Sequence, residues 1–129
     1  MIIQELIDAA YSVAGVYKPS KECESGSVGA AILTEDGNIY TGICIDTACS
    51  LGFCAEHAAV AEMLKHKESK ISMIVAVTDK REILPPCGRC RELLAQVNKS
   101  NMKARVIVNQ NITVTLRELL PHYWLDALK

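Results

Sequence analysis

The run Ile71-Ser72-Met73-Ile74-Val75-Ala76-Val77 limits more than any other feature how this chain can fold. It is almost continuously apolar, rich in β-branched residues and of strand length, which predicts a strand covered on both faces. A second run, residues 104–108 (ARVIV), reads the same way. Strands covered on both faces require helices on both sides of the sheet, and three segments can supply them. Residues 3–14 place Ile3, Leu6, Ile7, Ala10 and Ala14 on one helical face. Residues 54–65 are rich in Ala and Glu, and a further helix starts near Cys87, just after Pro86. The segments 27–33 (SVGAAIL) and 39–45 (IYTGICI) flank Glu35-Asp36-Gly37-Asn38 and predict an antiparallel hairpin. Residues 17–26 read as loop. Thr115 and Glu118 form a capping box for a short tail helix stopped by Pro121. The order α-β-β-α-β-α-β-α predicts an α/β fold: a three-layer sandwich with one mixed central sheet of about five strands covered by helices, its later strands parallel. With 129 residues, the expectation is a single domain over 1–129.

Charge narrows the function classes. Fourteen basic residues against fifteen acidic ones give a net charge of −1, and the cations are dispersed. This removes the main electrostatic reason to expect nucleic acid or an anionic membrane as partner. No apolar run approaches the roughly 18 residues of a membrane span. The first residues carry Glu5 and Asp8 and lack a basic segment, so they do not read as a signal peptide, and a cytoplasmic location is expected. In that setting the six cysteines (Cys23, Cys44, Cys49, Cys54, Cys87, Cys90) point to metal binding or catalysis before disulfides.

Topology brings three of them together. Strand 39–45 leads to the helix starting at Cys54, and strand 71–77 to the one starting near Cys87. Right-handed crossovers that advance in one direction put both helices on one face, with their N-termini beyond the carboxyl ends of the strands. Cys54, Cys87 and Cys90 then converge where helix N-termini lower thiol pKa values. Three thiolates suit zinc and leave a fourth position for water. Glu56, two residues after Cys54, can point into the same pocket and move a proton, so the pattern is that of a metal-dependent hydrolase. Each part has a plainer reading. Cys87-x-x-Cys90 is also the spacing of a redox pair, although the loop KREILPP separates it from the preceding strand. Cys54 alone would be a small buried residue and Glu56 an ordinary first-turn acid. His57, three positions along the same turn from Cys54, reads as a core residue or a partner of a ligand before a ligand itself.

Cys54-Ala55-Glu56 followed by Pro86-Cys87-Gly88-Arg89-Cys90 resembles the zinc signature of the cytidine deaminases, the small three-cysteine branch. The resemblance extends over Val28-Gly29-Ala30-Ala31, Tyr40-Thr41-Gly42 and Arg117-Glu118-Leu119-Leu120-Pro121. It implies Zn²⁺ held by Cys54, Cys87 and Cys90, with activated water attacking C4 of a cytosine-like ring. Glu56 would protonate N3 and then the departing ammonia. It further implies a small-molecule cytosine nucleoside or analogue as substrate and a homotetramer with shared active sites. The sequence departs from the family at the sugar. Cys44 and Asp46, on one face of their strand with Tyr40 and Gly42, stand where the family has Asn and Glu for the ribose hydroxyls. An aromatic residue of the family is replaced by Gly26. Cys44, Asp46 and Ala55 are thus implied substrate contacts, although Cys44 also fits as a small buried residue. His57 replaces an arginine that hydrogen-bonds the ligand sulfurs. Arg89 is then expected to balance the charge, unless it is a solvated surface residue. Cys87-Gly88-Arg89-Cys90-Arg91 also resembles blasticidin S deaminases, which act on a cytosine nucleoside antibiotic. Trp124 aligns with an aromatic residue that caps the base, often in a neighbouring subunit, and equally fits as an anchor of the tail. A non-catalytic zinc or redox module would instead show a fourth ligand or a Cys87–Cys90 disulfide. An editing deaminase of nucleic acid is disfavoured by the charge.

Overall fold

The hairpin around Glu35–Asn38 lies at the centre of the architecture. In the computed structural model, which describes residues 2–128, β2 (Cys23–Thr34) and β3 (Ile39–Thr47) pair antiparallel from Leu33↔Ile39 to Cys23↔Thr47. Gly37 makes the turn with φ +89. Along its other edge β2 pairs antiparallel with β4 (Ile71–Thr78), placing Ala30 opposite Ala76. β4 runs parallel to β6 (Arg105–Ile107), and β6 pairs antiparallel with β7 (Thr113–Thr115). The path β3-β2-β4-β6 contains the four strands the sequence places, in a mixed sheet as expected, and β7 extends it by a strand the sequence does not mark. Two short strands, β1 (Tyr17–Ser20) against β2 and β5 (Ile83–Leu84) against β4, bring the total to seven. The segment 17–26 is therefore not all loop. Its strand lacks an apolar pattern because all four of its residues are exposed, so backbone pairing alone defines it.

Side-chain alternation along β2 and β4 sorts the core into two layers. Ala30, Ile32, Ile74 and Ala76 face α2 (Ala55–Lys65) and α3 (Gly88–Val97), packing with Ala59, Met63 and Leu94. Ala31, Met73, Val75 and Val77 face the opposite way, onto Leu6, Ile7 and Ala10 of α1 (Ile2–Val13). Three layers result, with α2 and α3 on one face as right-handed crossovers demand. Each fully buried aliphatic side chain, such as Leu6 or Ile74, contributes roughly 1.5–3 kcal/mol. Ile71 breaks the alternation because the β2–β4 register shifts between Leu33 and Thr34.

β2 is bent by a second irregularity, between Ser25 and Gly29. Gly26 sits there at φ +83, and a Cβ on it would lie 2.1 Å from the carbonyl oxygen of Gly15, to whose N–H its own carbonyl bonds at 2.7 Å. No side chain fits, which explains glycine at this position. In the tail, Thr115 and Glu118 form the reciprocal capping box, with bonds of 2.9 and 3.2 Å. It caps a single 3-10 turn, Arg117–Leu119, and no longer helix. Among the described residues no helix is long and apolar enough to cross a membrane.

Candidate active site

Two βα connections build the site. After β3 the chain makes a tight turn in which Cys49 and Ser50 adopt left-handed φ values of 62 and 58. It then folds back so that Ile45 and Phe53 exchange two backbone hydrogen bonds of 3.0 Å. At Gly52 a Cβ would meet the Ile45 carbonyl oxygen at 1.7 Å, so this close approach needs glycine. The next residue after Phe53 is Cys54, the N-cap of α2. The second connection leaves β4, passes β5 and Pro85-Pro86, and reaches Cys87, the N-cap of α3. Arg91 fixes this arm: its Nε donates to the Pro86 carbonyl at 2.8 Å and its Nη1 to that of Leu119 at 3.3 Å.

The two caps bring the expected thiols into contact. Cys54 Sγ lies 3.5 Å from Cys87 Sγ, which lies 3.4 Å from Cys90 Sγ. These separations are far above the about 2.05 Å of a disulfide bond. They are near the about 3.8 Å between sulfurs that share a tetrahedral zinc at about 2.3 Å each. His57 joins the cluster more closely than its position in the turn suggests. Its Nδ1 is 3.5 Å from Cys90 Sγ, and donor atoms of Cys54, His57 and Cys90 all lie within 4.8 Å of one another.

Burial and local dipoles set the protonation of these groups. Burial, the Glu56 charge and the neighbouring thiols push the Cys90 thiol well up. Burial and its contact with Cys87 also push Cys54 up. Burial would raise Cys87 too, but backbone N–H groups of Cys90 and Arg89 and contacts from the other two thiols outweigh it, and its pKa falls. Glu56 is only 5% exposed. Its burial raises the carboxyl pKa, which bonds from its own backbone N–H and from the Cys90 thiol partly oppose. A raised carboxyl is a better proton acceptor, as proton transfer near neutrality requires. His57 is pushed down by burial and by the positive charge of Arg89.

The cluster opens into a cleft of about 470 Å³. Cys54, Ala55, Glu56, Cys87 and Arg89 line it, as do Cys44 and Asp46 from β3. Of the expected site residues, two do not line the cleft. Cys90 is buried behind it, in contact with the Cys87 thiol. Trp124 is 55% exposed and held on α3, where its Nε1 bonds Glu92 at 3.1 and 3.2 Å. Tyr123 OH joins it there, donating to Glu92 at 2.7 Å. Arg89 reaches the cleft wall, whereas the imidazole of His57 is the group that touches a sulfur. Ser27 and Phe53 also line the cleft and were not foreseen. Ser27 follows the Gly26 bulge, and only that irregularity could have signalled its position.

This arrangement matches a known family. A model of the cytidine and deoxycytidylate deaminase zinc-binding region matches residues 2–108. The chain belongs to that family. The deaminase is 32% identical over 124 residues to the cytidine deaminase of Halalkalibacterium halodurans, covering 94% of this chain and 89% of the relative. The blasticidin-S deaminase of Bacillus cereus is 27% identical over 127 residues, covering 91% and 88%. Among solved structures, the cytidine deaminase of Mycobacterium tuberculosis superposes with a TM-score of 0.80 at 27% identity, covering 96% of this chain and 98% of the other. That of Bacillus anthracis gives 0.73 at 25% identity, covering 99% and 93%. The deaminase is thus a zinc-dependent hydrolase, and its clustered thiols and imidazole are the donor set that zinc prefers.

Proposed function

We propose that the enzyme hydrolyses the exocyclic C–N bond of a cytosine nucleoside or nucleoside analogue, taking up water and releasing ammonia and the uracil form. The observation that carries this reading is Glu56, a buried carboxyl that shares one cleft with Cys54 and Cys87, whose thiols touch each other while Cys87 also touches Cys90. Cys54, Cys87 and Cys90 hold the zinc, which when bound supplies a water acidic enough to react at neutral pH. Glu56 accepts a proton from the attacking water and passes it to N3 of the ring. It then takes the second proton from the hydroxyl newly bonded to C4 and passes it to the amine, which departs as ammonia while C4 becomes a carbonyl. His57 donates from its ring to the Cys90 sulfur, and Arg89 adds positive charge at the cleft wall. Both offset the net charge of about −1 that three thiolates leave on the metal. Ala55 at the cleft floor and Cys44 and Asp46 at its side contact the substrate.

Further parts of the proposal rest on family likeness. The domain spans residues 1–129, and the enzyme is a cytoplasmic homotetramer without nucleic-acid or membrane partners. Its Trp124, exposed and steadied by Glu92, is free to cap the base in a neighbouring subunit. The blasticidin S type of substrate is the second reading, supported by Cys44 and Asp46 where a ribose-binding pair is expected and by the Bacillus cereus relative. The test is turnover of cytidine, deoxycytidine and blasticidin S, followed by ammonia release, with Glu56→Ala as control. This variant should retain zinc and lose on the order of 10²–10⁴-fold in rate. Near-normal turnover would remove Glu56 from the reaction.

A further inference from the structure

The spacing Cys87-x-x-Cys90 fits a redox pair as well as two metal ligands, and the surroundings of the two thiols meet what redox chemistry needs. Cys87 is exposed at the cleft, whereas Cys90, 1% exposed, lies behind it. The Cys87 thiol donates to Cys90 Sγ at 3.4 Å, so closing a bond of about 2.05 Å takes a shift of only about 1.4 Å. Both sulfurs belong to the start of α3, Cys87 as its N-cap and Cys90 in its first turn. The backbone beside Cys87 is uncovered, since a Cβ on Gly88 would meet nothing within 4 Å. A small oxidant or a reducing thiol can therefore approach Cys87 from outside. Cys54 also touches Cys87, at 3.5 Å, but it opens on the same cleft. A thiol expels the oxygen of an oxidised sulfur from the far side of the S–O bond. Cys90, behind Cys87, is placed for that attack and Cys54, beside it, is not.

We infer that Cys87 and Cys90 form a peroxide-sensitive, reversible disulfide site, and that closing it releases the metal from the deaminase. The inference rests on the zinc assignment above and adds a modification site to it. A hydroperoxide gives one oxygen to the Cys87 sulfur as its O–O bond breaks, and its remainder leaves as water or an alcohol. The Cys90 sulfur then bonds to the Cys87 sulfur and expels that oxygen as water. The water carries the two thiol hydrogens, which come from solvent where zinc has replaced them. The two sulfurs together lose two electrons, and the peroxide gains them. A disulfide has no thiolate to offer a metal. Cys54 and His57 are then the donors left in the cluster, fewer than the three protein ligands that a catalytic zinc keeps. A dithiol attacking the exposed Cys87 sulfur reverses the step and restores both thiols.

The experiment treats the zinc-loaded protein with hydrogen peroxide in the presence of a chromogenic zinc indicator. Free thiols are then blocked and the cysteines mapped by peptide mass spectrometry. Zinc should be lost one for one with formation of a Cys87–Cys90 disulfide, and dithiothreitol with added zinc should restore the bound metal. Cys90→Ser removes the second sulfur, so Cys87 should stop as a sulfenic acid that a 1,3-diketone traps. The mapping on the unaltered protein decides the matter whether or not that variant folds. Cys49→Ser removes an exposed thiol outside the cluster and should leave zinc release unchanged. A disulfide mapped to another pair, no disulfide at a peroxide dose that oxidises Cys49, or a bond that dithiothreitol cannot reduce overturns the inference and leaves the zinc assignment standing. Zinc that stays bound while Cys87 and Cys90 are linked refutes the zinc assignment, as does a protein that takes up no zinc before treatment, and the inference falls with it.

Discussion

Asn101 offers the sharpest test of how the metal-bearing helix is held on the sheet. It lies in the short turn after α3, is 0% exposed, and makes three side-chain bonds. Its Oδ1 accepts from Ile71 N–H at 2.8 Å at the start of β4. Its Nδ2 donates to Leu94 C=O in α3 and to Ser69 C=O, each at 3.0 Å. Asn101→Ala strips all three. The Ser69 carbonyl lies in a partly exposed stretch where water can replace the bond, but the groups on Ile71 and Leu94 belong to buried residues. At about 1–1.5 kcal/mol per orphaned group, plus a small cavity term, the loss is about 3 kcal/mol. A chain of 129 residues has an unfolding entropy of about 0.27 kcal/mol/K, so Tm should fall by about 11 °C. Scanning calorimetry of the zinc-saturated protein, at one protein concentration and one zinc concentration, measures this directly. Asn101→Asp keeps the acceptor but loses the donors and buries a charge, and should be at least as damaging. A drop of less than about 2 °C for Asn101→Ala would refute the reasoning.

Three further outcomes are expected. X-ray absorption at the zinc edge should count three sulfurs at about 2.3 Å; two sulfurs with an added nitrogen would make His57 a ligand in place of Cys87. Arg91→Ala should speed zinc transfer to a competing chelator by about tenfold, because the Pro86 arm loses its two ties, and Arg91→Lys should restore little since an ammonium cannot fork. Unaltered release in both would show that Arg91 does not position Cys87. In alkaline titration followed by ultraviolet absorbance, Tyr40, through its bond to Glu68 and burial, and Tyr123, through burial and its bond to Glu92, should ionise at about 12. Their folded values lie above the ordinary value near 10. The stability they add is therefore complete below about pH 10 and is lost as pH rises through about 12. Replacing each with Phe should remove one late-titrating group, and simultaneous ionisation of all tyrosines near 10 would contradict both bonds.

Much of this was legible in the residues because the informative signals were local or periodic. The doubly covered strand at 71–77, the hairpin at 35–38 and the helix starts at Cys54 and Cys87 follow from patterns that backbone geometry reads directly. The convergence of the three thiols follows from right-handed crossovers that advance in one direction across the sheet, and Glu56 is placed by its position two residues after Cys54. What escaped depends on contacts between distant segments. β1 has no buried side chain to mark it, and β5 and β7 are only two and three residues long. Asn101 reads as an ordinary loop asparagine until the end of α3 and the start of β4 are placed around it. Ser27 reaches the cleft because Gly26 bends β2 against Gly15, which no periodicity reveals. His57 was assigned by its own helix turn, whereas its contact with Cys90 comes from the packing of α2 beside α3.

Part of the irregular backbone gathers at the cleft. Gly26, Cys49 and Ser50 have positive φ and lie at or next to a residue lining it, whereas Lys67, Arg81 and His122 take positive φ in turns elsewhere. A left-handed non-glycine residue costs on the order of 1–3 kcal/mol, so the turn at Cys49 and Ser50 must be held from outside. The paired bonds between Ile45 and Phe53 hold one side, and Thr47 Oγ1, accepting from Leu51 N–H at 3.0 Å, holds the other. At the opposite end of the hairpin, the turn at Gly37 uses one glycine in open space, where a Cβ would meet nothing within 4 Å. The difference is one of purpose in placement. The far turn has only to reverse the chain, and many loops could do so. The near turn must reverse it and also deliver Cys54 as a helix cap within 3.5 Å of a thiol carried by another helix. Two strained residues and the glycine at position 52 accomplish this, and a smoother connection would carry the first thiol away from the other two.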